Sequence, residues 1–167
     1  MSTHIHFDIG SSTLGHVLVA LSDKGICAIL PGDSPRAVLR ELRERFPSTT
    51  LERDAARLAD ALAQVIAYVD GRSATLGLQL DATGTAFQQR VWRALRAIPS
   101  GKTASYGDIA RRIDAPKSFR AVAQACGANP LAIVIPCHRV VRNDGALSGY
   151  RWGAARKRAL LDREAGR

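Results

Sequence analysis

Pro136-Cys137-His138-Arg139-Val140 follows an apolar run, Leu131-Ala-Ile-Val-Ile135, and precedes Val141, so the sequence predicts a cysteine–histidine pair at the end of a strand. A thiol is a useful nucleophile only as the thiolate. A neighbouring histidine that takes the proton, itself oriented by a carboxylate, produces that thiolate near neutral pH. Glu164, in the last helix-like segment, is the candidate orienter. An arbitrary Cys-His dipeptide is more often a small buried hydrophobe beside a surface residue. The segments around this one decide the matter.

Upstream, Asp81-Ala-Thr-Gly84 has the composition of a linker, and Thr85 is placed to cap a helix running to about Ala97. Phe87, Val91 and Leu95 share one face of it, and Ile98-Pro99-Ser100-Gly101 stops it. Two short helices are predicted next, Tyr106 to about Ile113 and Ser118 to about Gly127. Asp114-Ala-Pro-Lys117 separates them, which is helix-turn-helix spacing. Ala121, Ala123, Ala125 and Gly127 give the second helix an unusually small surface. Such a surface suits close approach to a nucleic-acid backbone or close packing on another helix. Spacing alone leaves these even, and Arg120 with the local basic charge tips the reading towards DNA.

The charge is divided unevenly. Residues 1–83 hold 8 Lys/Arg against 10 Asp/Glu, and residues 84–167 hold 16 against 5, so the second half is the polyanion-binding half. Most of its cations are arginine, which forks onto phosphate oxygens. The chain is 167 residues long, enough for one sizeable core or two small ones. No apolar run approaches the roughly 18 residues of a membrane span, and the N-terminus lacks the basic start and apolar core of a signal peptide. A cytoplasmic protein is expected. Three cysteines, Cys27, Cys126 and Cys137, argue against a disulfide framework and suit a reducing compartment.

The first half reads as a small α/β unit. His4–Ile9, Gly15–Leu21 and Ile26–Leu30 are predicted strands, with turn chemistry at Ser22-Asp23-Lys24-Gly25. Ser34 and Pro35 open a helix carrying Val38, Leu39, Leu42 and Phe46 at helical spacing. A second helix is predicted from about Arg53 to Val69, ended by Asp70-Gly71, and Leu76–Leu80 alternates as a strand. His4, His6 and His16 with Cys27 are potential metal ligands. Solvent-facing strand positions account equally for His4-x-His6, and no metal is expected.

Gly84-Thr-Ala-Phe-Gln-Gln-Arg-Val-Trp92, Ile98-Pro-Ser-Gly-Lys-Thr103, Ser105-Tyr-Gly-Asp-Ile-Ala110, Arg120-Ala-Val122, Asn129-Pro130, Pro136 to Val141 and Leu147-Ser-Gly-Tyr-Arg-Trp-Gly153 occur in that order. In order and spacing they resemble the O6-alkylguanine-DNA alkyltransferases, closest to the alkyl-transferring half of the bacterial Ada proteins. The match is near-continuous from Gly84 to Glu164, and Gly25-Ile-Cys-Ala-Ile-Leu30 extends it into the first half.

The resemblance implies two domains. Residues 1–83 would form an α/β domain, a small mostly antiparallel sheet with helices, ribonuclease H-like. Residues 84–167 would form a mainly α alkyltransferase domain with the helix-turn-helix. It implies a DNA repair protein that flips O6-alkylguanine out of duplex DNA through the minor groove and moves the alkyl group irreversibly to Cys137, once per molecule. No cofactor is implied. O4-alkylthymine is left open as a second substrate, and a monomer is implied, with cooperative DNA binding left open.

By the same resemblance His138 deprotonates Cys137 through a water, Glu164 holds the imidazole, and Asn129 braces the turn before the nucleophile. Arg120 occupies the space the base leaves, and Tyr106 crowds the adjacent phosphate and donates to the guanine ring. Ala121, Ala123 and Gly127 form the DNA-facing surface. Pro136, Val140, Tyr150, Arg151 and Cys126 belong to the substrate pocket, with Val140 and Arg151 acting through backbone groups, and Trp152 near the mouth would restrict bulky adducts. A non-catalytic recognition module, a cysteine-sensing transcription regulator and a cysteine hydrolase are the competing readings. The cysteine weighs against the first, and the basic second half against the last.

Overall fold

The computed structural model describes residues 4–147 and 149–166; Ser148 of the quoted motif lies outside the described residues. The chain divides into two compact units, one running up to Thr83 and including Pro130–Ala132, the other comprising Gly84–Asn129 and the chain from Ile133 onward.

In the first unit, apolar residues placed on alternate or successive positions of extended chain build a four-stranded sheet. His4–Ser12 (β1) and Gly15–Leu21 (β2) pair antiparallel, as do β2 and Ile26–Gly32 (β3). Every residue of β3 but the last is buried, which is why Ile26-Cys-Ala-Ile-Leu30 carries no polar side chain. Thr50–Arg53 (β4) pairs parallel to β1, giving the order β3-β2-β1-β4. The sheet is thus mixed, with one parallel edge pair.

Two helices cover it. Ser34 Oγ accepts from the Ala37 amide at 3.1 Å and Pro35 takes the first turn of Pro35–Arg45 (α1), whose Val38 and Leu42 are buried. Ala55–Val69 (α2) is capped by Asp54, which accepts from the Arg57 amide at 3.0 Å, and buries Leu58, Ala61, Val65 and Val69. The predicted start near Arg53 is therefore two residues early, because Thr50–Arg53 is spent on β4, a strand too short and polar to show an alternating pattern.

Leu76–Leu80 is not a strand. It joins the sheet only through an isolated bridge from Leu80 to Ile26, with the Ile26 amide donating to the Gln79 carbonyl at 2.9 Å and the Asp81 amide to the Ile26 carbonyl at 2.7 Å. Gly77 interrupts the run with the residue that costs most backbone entropy to hold extended.

In the second unit, Thr85 and Gln88 form a reciprocal capping box that starts Ala86–Arg96 (α3), and Val91, Trp92 and Leu95 are buried. Ala104–Ser105 (β5) leads into Tyr106–Arg112 (α4), capped by Ser105 with Asp108 in the same reciprocal manner. Phe119–Gly127 (α5) follows, starting one residue later than predicted. Trp92 Nε1 donates to the Ala125 carbonyl at 2.9 Å, and Arg90 donates to the Ile113 carbonyl, so α3 holds both of the next two helices through their backbones.

Leu131–Ile135 is not one strand either. Leu131 bridges Ile29 within the first unit, and Ile133 then turns the chain at φ +73°, in the left-handed region that a β-branched residue rarely occupies. Cys137–Arg139 forms a 3-10 turn, Val140–Val141 (β6) pairs parallel with β5, and Ala154–Glu164 (α6) closes the unit. The cysteine thus precedes a short strand instead of ending a long one. Among the described residues no helix is long and apolar enough to cross a membrane.

Gly25, at φ +150°, supplies the turn into β3, and a methyl group there would lie 2.5 Å from the Gln79 carbonyl oxygen. Gly25→Ala is expected to cost about 2 kcal/mol of stability, read as a lower urea midpoint. An unchanged midpoint would show that residues 76–81 are not tied to β3.

Candidate active site

The 3-10 turn holds Cys137 and His138 side by side, both buried. His138 is fully buried, and its Nε2 lies 3.0 Å from Glu164 Oε2. Because a carboxylate can only accept, Nε2 carries the hydrogen and Nδ1 the lone pair. Nδ1 is buried with no hydrogen-bond partner.

Glu164 sits at the end of α6 and is shared. Arg139 donates through Nε to Oε1 at 2.9 Å and through Nη2 to Oε2 at 2.8 Å, and its Nη1 donates to the Ile98 carbonyl at 2.7 Å. Burial works to raise the Glu164 carboxyl, but the hydrogen bonds and positive charge of His138 and Arg139 outweigh it and hold the group at about 2. For His138 burial is the largest influence and lowers the imidazole below its usual value, with Glu164 opposing. A neutral imidazole beside a fixed carboxylate is the result.

Asn129, also fully buried, directs Nδ2 at two acceptors, the Ile135 carbonyl at 2.8 Å and Cys137 Sγ at 3.3 Å. The amide therefore spans the turn and also touches the sulfur.

Cys137 opens on a cleft of about 320 Å³ within the second unit. Tyr106 at the start of α4 lines it, with Ala123, Cys126 and Gly127 of α5 on one side and Gly149, Tyr150 and Arg151 on the other. Tyr150 is held edge-on to Trp152, with ring centroids 5.3 Å apart at 75°. Its hydroxyl is buried without a hydrogen-bond partner, and burial, reinforced by Cys137, pushes its pKa well up. Trp152 is itself buried and is not among the lining residues. Its indole packs edge-on against the Tyr150 ring instead of lining the mouth as the sequence suggested.

Pro136 and Val140 are buried beside the nucleophile but are likewise not lining residues. The Val140 carbonyl accepts from Lys157 Nζ at 2.6 Å. Arg120 is exposed in the first turn of α5, its guanidinium 5.9 Å from the ring centre of Phe119, itself the large apolar side chain most exposed among the described residues. Ala123 is exposed and Ala121 and Gly127 are half-buried, whereas Ala125 faces the core, so the small surface of α5 lacks one of its four predicted members.

Two residues of the site were not singled out by the sequence. Lys157 is 1 % exposed, and burial lowers its pKa while Cys137 and Cys126 oppose that shift. Its spacing could have revealed it, since Lys157, Leu160 and Glu164 recur at helical intervals on the inward face of α6. Arg139 carried no such signal, as nothing in the sequence tells an arginine forked on a carboxylate from a solvated one.

Residues 86–166 match the family model for the DNA binding domain of 6-O-methylguanine DNA methyltransferase, and residues 5–82 match the model for its ribonuclease-like domain. Over 151 residues the chain is 59 % identical to the regulatory protein Ada of Salmonella typhimurium, covering 90 % of this chain and 43 % of that one. It spans less than half the length of the Ada proteins it matches. It is 48 % identical to a methylated-DNA–protein-cysteine methyltransferase of Mycobacterium bovis over 77 % of this chain and 79 % of the relative. The structure of Mycobacterium tuberculosis OGT in complex with DNA is similar, with a TM-score of 0.79 at 38 % identity, over 98 % of this chain and 93 % of that one. With both models matched and a relative covered over most of its length, the chain belongs to the 6-O-methylguanine DNA methyltransferase family.

Proposed function

We propose that this protein repairs O6-alkylguanine in duplex DNA by moving the alkyl group to its own Cys137, one transfer per molecule. The observation that carries the reading is a sulfur held by the Asn129 amide at 3.3 Å, next to a buried His138–Glu164 pair, on a cleft of about 320 Å³. The names of the relatives, which denote methyl transfer from DNA to a protein cysteine, support the same chemistry.

In this mechanism His138 Nδ1, the nitrogen left with the lone pair, takes the Cys137 proton through a solvent molecule. Glu164 stabilises the imidazolium that forms, and the Asn129 N–H stabilises the charge on sulfur. The thiolate attacks the alkyl carbon. The S–C bond forms as the C–O6 bond breaks, the bonding pair leaves with the purine, and Tyr106 donates a hydrogen bond or proton to the ring, lowering the charge on the leaving group. The Tyr150 hydroxyl and the backbone of Arg151 wall the pocket. The carbonyl of Val140, with one lone pair engaged by Lys157, keeps capacity for a donor on the guanine edge.

An O6-alkyl group inside a stacked pair is out of reach of a buried sulfur, so the base has to leave the helix, at a cost of a few kcal/mol. We read α4 and α5 as a helix-turn-helix. The small exposed positions of α5, Ala123 with Ala121 and Gly127, let it lie close in the minor groove, and exposed Arg120 fills the space the base vacates. The excess of positive charge over residues 84–167 and the DNA complex of the similar mycobacterial structure support DNA as the partner. The first unit reads as the ribonuclease-like domain of the family.

After incubation with a duplex carrying one O6-methylguanine, intact-protein mass spectrometry should show one added methyl group per chain, mapped to Cys137. Cys137→Ser should bind the lesion without gaining mass. Tight lesion-selective binding with an unchanged wild-type mass would reduce the protein to a recognition module. The pH profile tests the base. Since burial lowers His138 below its usual value of 6.5, the acid-side fall in the single-turnover rate should be centred below pH 6.5. A decline centred above 6.5 would remove His138 from that role.

A further inference from the structure

The sheet edge formed by β1 and β4 gathers a group of side chains that alkyl transfer does not use. His4 and His6 are two residues apart on β1 and project from one face, while Ile5 and Phe7 between and beyond them are buried in the core. The parallel register sets His6 opposite Glu52. The two imidazoles stack, with ring centroids 4.5 Å apart at 16°. His4 Nε2 lies 3.2 Å from Glu52 Oε1, and His6 Nδ1 lies 3.8 Å from Glu52 Oε2. One ligand atom from each of the three residues can be chosen so that all lie within 4.8 Å of one another.

We propose that His4, His6 and Glu52 bind a zinc ion that clips β4 to β1. Two imidazole nitrogens and one carboxylate oxygen are a donor set that zinc takes, with bonds of about 2.0–2.2 Å. Tetrahedral bonds of that length place neighbouring ligand atoms about 3.4 Å apart. The histidine–carboxylate spacings of 3.2 and 3.8 Å, each to a different oxygen of Glu52, lie on either side of that value, and with one atom taken from each residue no pair is more than 4.8 Å apart, so modest side-chain rotations bring the three ligands onto one ion.

Two further observations favour an ion over a simple ion pair. His6 Nδ1 is shielded from solvent and makes no hydrogen bond, although Glu52 and Asp54 carboxylate oxygens stand 3.8 and 3.7 Å away, beyond hydrogen-bonding reach. Among the described residues Glu52 pairs with these two histidines and with no lysine or arginine, whereas Asp8 and Asp54 have Arg53 and Arg57. Asp54 Oδ2 or a water completes the fourth position. β4 is a four-residue edge strand with no buried side chain, and its only sheet partner is β1. A metal crosslink there supplies the anchorage that side-chain burial does not.

The test is titration of the full chain with zinc chloride alone, followed by calorimetry, together with the absorption spectrum of the cobalt(II) form. One zinc per chain is expected, with cobalt d–d bands and no thiolate-to-metal charge-transfer band, because no cysteine takes part. His4→Ala and Glu52→Gln alter exposed side chains and preserve the fold, and each is expected to weaken zinc binding about tenfold or more. Glu52→Gln should also abolish the zinc-induced rise in melting temperature while leaving the rate of alkyl transfer as in the wild type. Absence of zinc uptake overturns the proposal. So does uptake that survives both substitutions, or a charge-transfer band placing the ion on Cys27, Cys126 or Cys137.

Discussion

The second unit depends on the Glu164 carboxylate. It is largely withdrawn from solvent, with 11 % of its side chain exposed, and burial disfavours its ionised form. Three donors settle it: His138 Nε2 and the Nε and Nη2 of Arg139. Each of these comes from the 3-10 turn, so satisfying the charge fixes the end of α6 against the segment that carries the nucleophile. Arg139 extends the restraint through Nη1 to the Ile98 carbonyl at the end of α3. One ionised group thereby sets the position of α3, the turn and α6 together, and sets the tautomer of His138 as well.

Asn129 makes a complementary restraint from the other side. Its amide reaches the Ile135 carbonyl and Cys137 Sγ across a turn that contains Ile133 in a left-handed conformation. That backbone is strained for a β-branched residue, at about 1–3 kcal/mol, and persists because the residues on both sides are held. The α3 indole fixes α5 through the Ala125 carbonyl, and α5 ends directly before Asn129. The helix that reads as DNA-facing and the amide that touches the sulfur are thus continuous in the chain, two residues apart.

Much of this was legible in the sequence where local chemistry is sufficient. Ser34-Pro35 and Thr85 mark helix starts because their side chains satisfy amides one turn away, whereas Ser105 with Asp108 forms a cap that was not picked out. Cys137, His138, Glu164 and Asn129 could be named from motif order, and the structure sets Asn129 on the Cys137 sulfur and Glu164 on the His138 ring, two pairs joined through the Cys137–His138 peptide. What failed was whatever depends on partners distant in sequence. Thr50–Arg53 is a strand only because β1 offers an edge, and Leu76–Leu80 is not one because it gains a single bridge. Leu131–Ile135 has the composition of a strand and breaks at Ile133. Ala125 looked like surface until the Trp92 indole was seen to cover its backbone. Lys157 is a cation in a core, which composition alone never suggests.

The three cysteines differ by environment, not residue type, and that difference sets the proposed nucleophile apart. All three are buried and none is in a disulfide. Burial pushes the Cys27 thiol up to about 12, and Asp81 adds to the effect. Cys126 lines the same cleft as Cys137, yet burial and the neighbouring Cys137 raise it further still, with Lys157 only partly opposing. Among the described residues neither has an oriented imidazole beside it, and burial holds both as thiols near neutral pH. Cys137 alone among them has an adjacent imidazole that is neutral and oriented, and an amide donor on its sulfur. The same contrast is consistent with the proposal of a single transfer per molecule. A thioether on Cys137 would need a second nucleophile in the cleft to remove it, and Cys126, the other sulfur lining it, is kept as the thiol by burial.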